Sequence, residues 1–323
     1  MPAEWEPHQG TLIYWPTNPN QYLYGSASDF KNVQDSFLRL VDVVSAHESV
    51  YVVADPSSRD EAESILGRRA TIHSFPLDDA WARDAAPTIV HDDGGRAAVC
   101  WRFTGWGGRF SPIAHDARAA QNAADCLEIP SIVSKLGLEG GGVHSNGQGT
   151  LLTTTAVLGD PNRNPGRTFP ELQKELALTL GASKVVSLPR GFDGDDTGGH
   201  VDVIASFAPD GVVLLNECTD SNDPNIEGSK ENRRALTEEK LDVVSVPQPA
   251  ARFSGGDRLA YSYLNFYPCN GAVIAPSFGD TKDDYFCGLL EEFFPDREII
   301  SIDARAFYLG GGGIHCVTQP ILR

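Results

Sequence analysis

The sequence predicts an α/β protein assembled from about five repeats of one strand–helix–strand unit. Three observations lead there. β-Branched segments recur along the 323 residues, each followed by a turn rich in Asp, Asn or Pro. An amphipathic helix and a second short strand follow each turn. Each unit then ends on a loop of glycine and polar residues, and these loops fall at matching places in successive units. Units averaging roughly 60 residues imply a ring or a stack, because one unit alone cannot cover its apolar face. The chain is 41% hydrophobic, enough for a large core. We read it as one domain spanning 1–323.

The elements follow in order. The N-terminal unit has a helix carrying Phe30, Val33, Phe37, Val41 and Val44 on one face. Additional strand and helix material extends it to Ile72. The next unit runs from Ala97–Cys100 through a helix near 115–127 to Ile132–Val133. In the third, Thr150–Leu158 reads as a strand and 160–165 as a turn. Thr168 and Glu171 make a capping-box pattern before a helix bearing Phe169, Leu172 and Leu176. Lys184–Leu188 is its second strand, and a loop over Asp193–Gly199 follows. The fourth unit starts at Gly211–Leu215, turns at Asp223-Pro224-Asn225, and continues through a helix near 229–239 to Val243–Val246. The fifth starts at Ala272–Ala275. Its helix has Phe286, Leu289, Leu290 and Phe293 at i, i+3, i+4 and i+7, and it ends at Ile299–Ile302.

Composition narrows the function. The formal net charge is −18, which argues against nucleic acid as a partner, since phosphate binding needs a basic surface. The same charge could steer a cationic substrate, or simply keep the protein in solution. No apolar run of about 18 residues suggests a membrane span. The N-terminal residues lack a basic region followed by an apolar stretch, so a secretory signal is not expected. Six cysteines are scattered without C-x-x-C spacing, which fits reduced thiols in the cytoplasm better than a disulfide framework or a zinc site.

The polar loops carry the chemistry. Gly310–Gly313 is four glycines in a row, costly in backbone entropy and tolerated where a chain turns tightly or approaches a ligand closely. Cys316 follows as a candidate exposed nucleophile, although most free cysteines are buried and structural. His200 and Asp202 sit at i and i+2, so on a strand over Gly199–Ile204 both would point the same way. A His beside a carboxylate serves as general acid and base near neutral pH; a metal site or a satisfied polar loop are the competing readings. Trp81-Ala82-Arg83-Asp84 puts an aromatic, a cation and a carboxylate together, with Asp84 suited to an ion pair or a cationic substrate. Glu139-Gly140-Gly141-Gly142-Val143-His144 echoes Gly311–His315 but lacks the cysteine. One thiol, one His and two carboxylates fit attack on an amidine-like carbon. Asp84 and Asp202 would clamp a guanidinium, His200 would move protons, and Cys316 would add to carbon.

At these residues the chain resembles the agmatine deiminase family and the related bacterial peptidylarginine deiminases. The resemblance runs end to end. It begins with Met1-Pro2-Ala3-Glu4-Trp5-Glu6-Pro7-His8-Gln9-Gly10 and continues through Trp81–Asp84, Glu139–Gly141, Asn162–Pro165, Gly199–Asp202, Asn265–Tyr267 and Ile314–Gln319. It implies the guanidino-group-modifying fold, a five-unit pseudo-symmetric α/β-propeller. It implies Asp84, His200, Asp202 and Cys316 as the catalytic set, with no metal and no organic cofactor. The expected reaction is deimination of agmatine to N-carbamoylputrescine and ammonia, in putrescine and polyamine synthesis. Trp81, Glu139, Trp106, Asp196 and Gly313 are the expected substrate contacts. Arginine or a peptidyl arginine is the alternative substrate, and for its carboxylate or peptide Arg109 is the candidate cation. Val203, Gly313, Thr155 and Pro320 depart from the family's usual residues. A metal hydrolase using His144, His200, Asp202 and His315, or a guanidinium binder without catalysis, are the readings from other classes. We expect a homodimer.

Overall fold

The computed structural model describes residues 1–18, 29–92 and 95–323. Its strands form five small mixed sheets and one hairpin, Arg252–Ser254 with Asp257–Leu259. Each sheet repeats one pattern: an antiparallel pair, then a parallel partner reached through a helix. Thr88–Asp92 pairs antiparallel with Gly95–Cys100, which pairs parallel with Ser131–Val133. Val143–Ser145, Thr150–Thr154 and Lys184–Leu188 repeat it. So do Ala205–Phe207, Val213–Glu217 and Val243–Pro247, and Tyr267–Cys269, Ala272–Ser277 and Glu298–Asp303. The remaining sheet joins the two ends of the chain. Thr318–Leu322 pairs antiparallel with His8–Tyr14, which pairs parallel with Ser49–Ala54 and so leads to Thr71–Ser74.

The crossover helices lie where the apolar spacing puts them. Helix Phe30–Ser45 buries Val33, Phe37, Leu40, Val41 and Val44 completely. Burial of such a side chain contributes about 1.5–3 kcal/mol. Helix Phe169–Leu180 starts with the Thr168–Glu171 capping box and ends at Gly181 in the left-handed region (φ 66°). Helices Asp116–Cys126, Asn225–Glu238 and Asp283–Phe293 complete the set. Two expectations change. The strand begun at Thr150 stops at Thr154, because the Thr154 hydroxyl caps the Val157 N–H at 3.1 Å and starts a short helix, Thr155–Leu158. Gly199–Ile204 is not a strand. Gly198 and Gly199 have positive φ, Asp195 accepts the Gly199 and His200 N–H groups, and Val201–Val203 is a single helical turn. Side-chain acceptors thus take the amides that a sheet would need.

Candidate active site

Five connections link one sheet to the next: 75–87, 134–142, 189–204, 248–266 and 304–317. They hold Asp84, Glu139 with Gly141, His200 with Asp202, Asn265, and Cys316 respectively. The strands supply none of these groups, so one sheet-to-sheet loop from each unit builds the centre.

Gly141 marks where those loops meet. A Cβ placed on it would lie 2.5 Å from His200 Nδ1, 2.9 Å from Asp202 Oδ2 and 2.9 Å from Asp84 Oδ1. His200 and Asp202 therefore face one point, as their i, i+2 spacing suggested, but from a helical turn. Asp84 is fixed by two donors: Trp106 Nε1–H reaches Oδ2 at 2.8 Å and Gly141 N–H reaches Oδ1 at 3.1 Å. To make its bond Trp106 adopts φ 54°, rare for a bulky residue, between glycines at positive φ. His200 has its Nε2 3.1 Å from Glu139 and its Nδ1 3.7 Å from Asp84. Glu139 is held in turn by Arg163 at 2.9 Å, and Arg163, fully buried, also bonds Asp160 and the Thr197 carbonyl.

The Cys316 sulfur lies 3.6 Å from Asp202 Oδ2. Asn265 Nδ2–H points at the sulfur at 3.3 Å, while Asn265 Oδ1 accepts the backbone N–H groups of His315 and Cys316. Among the described residues, His200 Nδ1 and Asp202 Oδ1 are buried polar atoms with no hydrogen-bond partner. Such atoms are costly unless something meets them. His200 Nδ1 shares the contact point at Gly141 with Asp84 and Asp202, and the Cys316 sulfur lies against Asp202.

The electrostatics divide the roles. Burial would lower the His200 pKa, but the Asp84 charge, the Glu139 hydrogen bond and Asp202 raise it to about 9. Burial raises Asp84 to about 6, with the His200 charge opposing. Asp202 is held below the usual carboxylate range, because the His315 hydrogen bond and charge outweigh its burial. Burial, then the charges of Asp202 and Asp84, push the Cys316 thiol well above its ordinary value, while the Gly313 backbone and Asn265 oppose them. These shifts favour an imidazolium on His200, a carboxylate on Asp202 and a thiol on Cys316 near neutral pH. A cation between the carboxylates would favour the thiolate.

A cleft of about 430 Å³, counting its open mouth, gives access. Cys316, Asp84, Trp81, Trp106 and Asp196 line it, together with Asp79, Phe110 and Thr197, which the sequence did not single out. Cys316 is only 5% exposed, so the expected exposed nucleophile is a buried one reached from this cleft. Other expected substrate contacts sit elsewhere. Glu139 is fully buried behind His200. Gly313 packs against Asn265 and Tyr308, where a Cβ would come within 2.5 and 2.7 Å of their oxygens. Arg109 does not line the cleft. Its guanidinium bonds the Trp106 carbonyl at 2.6 Å and Asp160 at 3.3 Å, and covers Gly198. Asn265 was visible as a motif without a role. Gly141 had a signal, since consecutive glycines mark a close approach.

Comparison with known proteins agrees with this geometry. A family model described as Porphyromonas-type peptidyl-arginine deiminase matches residues 1–321. Relatives from Streptomyces avermitilis and Streptomyces coelicolor, each named "Putative agmatine deiminase", are 39% and 38% identical. Both alignments cover 99% of this chain, and 96% and 97% of those proteins. The solved structure of the agmatine deiminase of Enterococcus faecalis superposes with a TM-score of 0.91 at 29% identity, covering 99% of this chain and 94% of that one. The chain thus belongs to the Porphyromonas-type peptidyl-arginine deiminase family, as a guanidino hydrolase of the agmatine deiminase type.

Proposed function

We propose that this enzyme hydrolyses agmatine to N-carbamoylputrescine and ammonia through a covalent adduct on Cys316, a reaction that serves putrescine synthesis. One observation carries the choice of substrate. Besides Asp84, the cleft is lined by the carboxyl groups of Asp196 and of Asp79, whose pKa burial pushes up to about 8 and which a bound cation would help to ionise, and by the aromatic side chains Trp81, Trp106 and Phe110. That lining suits a distal ammonium. The alternative substrate, arginine or a peptidyl arginine, calls for a cation there, and Arg109 is engaged with Trp106 and Asp160 instead.

In this mechanism the guanidinium sits between Asp84 and Asp202, donating to Asp202 Oδ1. Its charge offsets the two carboxylates that hold the thiol protonated, and Asp202 Oδ2, 3.6 Å from the sulfur, is the carboxylate oxygen placed to take the thiol proton. The sulfur adds to the guanidinium carbon. His200 donates its Nδ1 proton to one NH₂ group, the C–N bond breaks and ammonia leaves. The adduct is an S-alkyl thiouronium. Neutral His200 then takes a proton from water, the oxygen adds to the same carbon, and the C–S bond breaks. Asp202 returns the proton to sulfur, and the hydroxyl proton of the departing group passes to solvent, where it is taken up by ammonia, leaving the neutral urea product. Glu139 orients His200 throughout, and His200 and Arg163 together hold Glu139 ionised against its burial. The same reading closes the five sheets into an α/β-propeller. The antiparallel pairing of Thr318–Leu322 with His8–Tyr14 supports that closure, because it joins the last unit to the first.

The test is ammonia release from agmatine, free arginine, a peptide with C-terminal arginine, and methylated arginines, with Cys316→Ala as the blank. Turnover of agmatine alone is expected. Preference for an arginine compound would overturn the substrate, and residual turnover above a few per cent in Cys316→Ala would overturn the covalent route.

A further inference from the structure

We infer that Glu4 and His315 are positioning residues for Asp202: Glu4 fixes His315 as a doubly protonated ring, and that ring aims the Asp202 carboxylate at the substrate guanidinium. The inference rests on the guanidinium-clamp reading above.

The geometry comes from both ends of the chain. His315 Nδ1 is 2.9 Å from Asp202 Oδ2. On the other side of the ring, Nε2 is 3.0 Å from both carboxylate oxygens of Glu4, 311 positions away. An ionised carboxylate only accepts hydrogen bonds, so both ring nitrogens must carry protons. Glu4 is 2% exposed, and Arg83 Nη1 meets it at 2.7 Å. Arg83 Nε also bonds the His315 carbonyl, and Arg83 N–H bonds that of Cys316. The groups that face the ring are Asp202, Glu4, Arg83, the neighbouring Cys316 and His144, whose ring centre is 6.5 Å away. Burial pushes His144 down to about 4, so it stays neutral. The Glu4 and Asp202 carboxylates hold the His315 pKa up against burial and Arg83, and Arg83 and His315 hold Glu4 well below its usual value.

Arg83, Glu4, His315 and Asp202 thus alternate in sign and sum to zero. The arrangement turns Asp202 Oδ2 toward His315 and the Cys316 sulfur and leaves Oδ1, which is buried and without a protein partner, to the substrate. Without the Glu4 charge, a protonated His315 leaves one net positive charge beside the clamp. That charge repels a guanidinium but has little effect on a neutral reagent. It disappears when His315 loses its proton, so the defect depends on pH.

The experiment has two arms. In the full-length wild type, ¹⁵N NMR of the histidines, assigned with His315→Gln, is expected to find both His315 ring nitrogens protonated at pH 7. In Glu4→Gln, Cys316 alkylation by cationic 2-chloroacetamidine is compared with alkylation by neutral iodoacetamide. The ratio of the two rates, relative to wild type, is expected to fall about tenfold between pH 8.5 and pH 5.5. With agmatine, KM should rise over the same range while kcat stays within about threefold. A bare ring nitrogen on wild-type His315 at pH 7 would overturn the inference. So would a Glu4→Gln ratio that equals wild type, or one lowered equally at every pH, as a merely structural defect would be. If Glu4→Gln fails to fold, the wild-type spectrum decides alone. Neither the spectrum nor the alkylation ratio uses agmatine, so wild-type silence on agmatine would count against the substrate reading and not against this one.

Discussion

Gly141→Ala is the most demanding test of the site, because it adds one methyl group and removes nothing. Gly141 lies in a helical turn without positive φ, so alanine suits its backbone. The new Cβ would sit 2.5 Å from His200 Nδ1 and 2.9 Å from the Asp202 and Asp84 oxygens. Ordinary contacts of carbon are about 3.5 Å, so the methyl must push His200 away by about 1 Å. A shift of that size costs about 10²-fold when it misplaces one reacting group. Here it touches the proposed acid–base residue and both carboxylates, so kcat/KM should fall at least 10²-fold, about 2.7 kcal/mol of transition-state stabilisation. The assay is steady-state ammonia release, with near-UV circular dichroism to establish the fold. Gly288→Ala is the matched control. It lies inside helix Asp283–Phe293 with nothing within 4 Å of the place its Cβ would take, so it should keep full activity and add about 0.5–1 kcal/mol of stability. A folded Gly141→Ala enzyme with more than about a third of wild-type kcat/KM would refute the convergence of the three groups.

Three other outcomes follow. Asp84 must be ionised and His200 protonated, so kcat/KM should rise as pH passes about 6 and fall as it passes about 9; a flat profile between pH 5 and 10 would contradict these roles. Trp106→Phe removes the 2.8 Å indole bond that lowers the Asp84 pKa. The acid limb should then move upward, with a loss of about tenfold in kcat/KM at pH 7, and an unmoved limb would show that the bond is dispensable. Arg163→Met leaves Glu139 and Asp160 without their buried partner. Urea unfolding should report a loss of about 3–5 kcal/mol; a loss under about 1 kcal/mol would show that the ion cluster reorganises freely.

The repeated unit was legible because its signals are local. Spacing of apolar residues fixed helix Phe30–Ser45, and the Thr168–Glu171 box fixed the start of Phe169–Leu180. These patterns act within one or two turns, so a single sequence displays them. The candidate residues Cys316, His200, Asp202 and Asp84 were legible for a related reason. Reactive side chains beside consecutive glycines are expensive in entropy unless a backbone must come close to something. Thr150–Leu158 and Gly199–Ile204 misled because side chains of Thr154 and Asp195 capture backbone amides there, which β-branched composition does not reveal.

The sequence alone therefore determined the units, the polar loops and the candidate residues they carry. Only the tertiary structure decided which charge meets which. Glu139 lies against His200, and Arg109 against Trp106 and Asp160. Arg163 proved to be a fully buried link, and Glu4 reached His315 across the whole length of the chain. The physical reason is that a buried charge is stabilised by whatever opposite charge lies within a few ångströms. That distance is set by how the sheets pack, and spacing along the chain carries no trace of it.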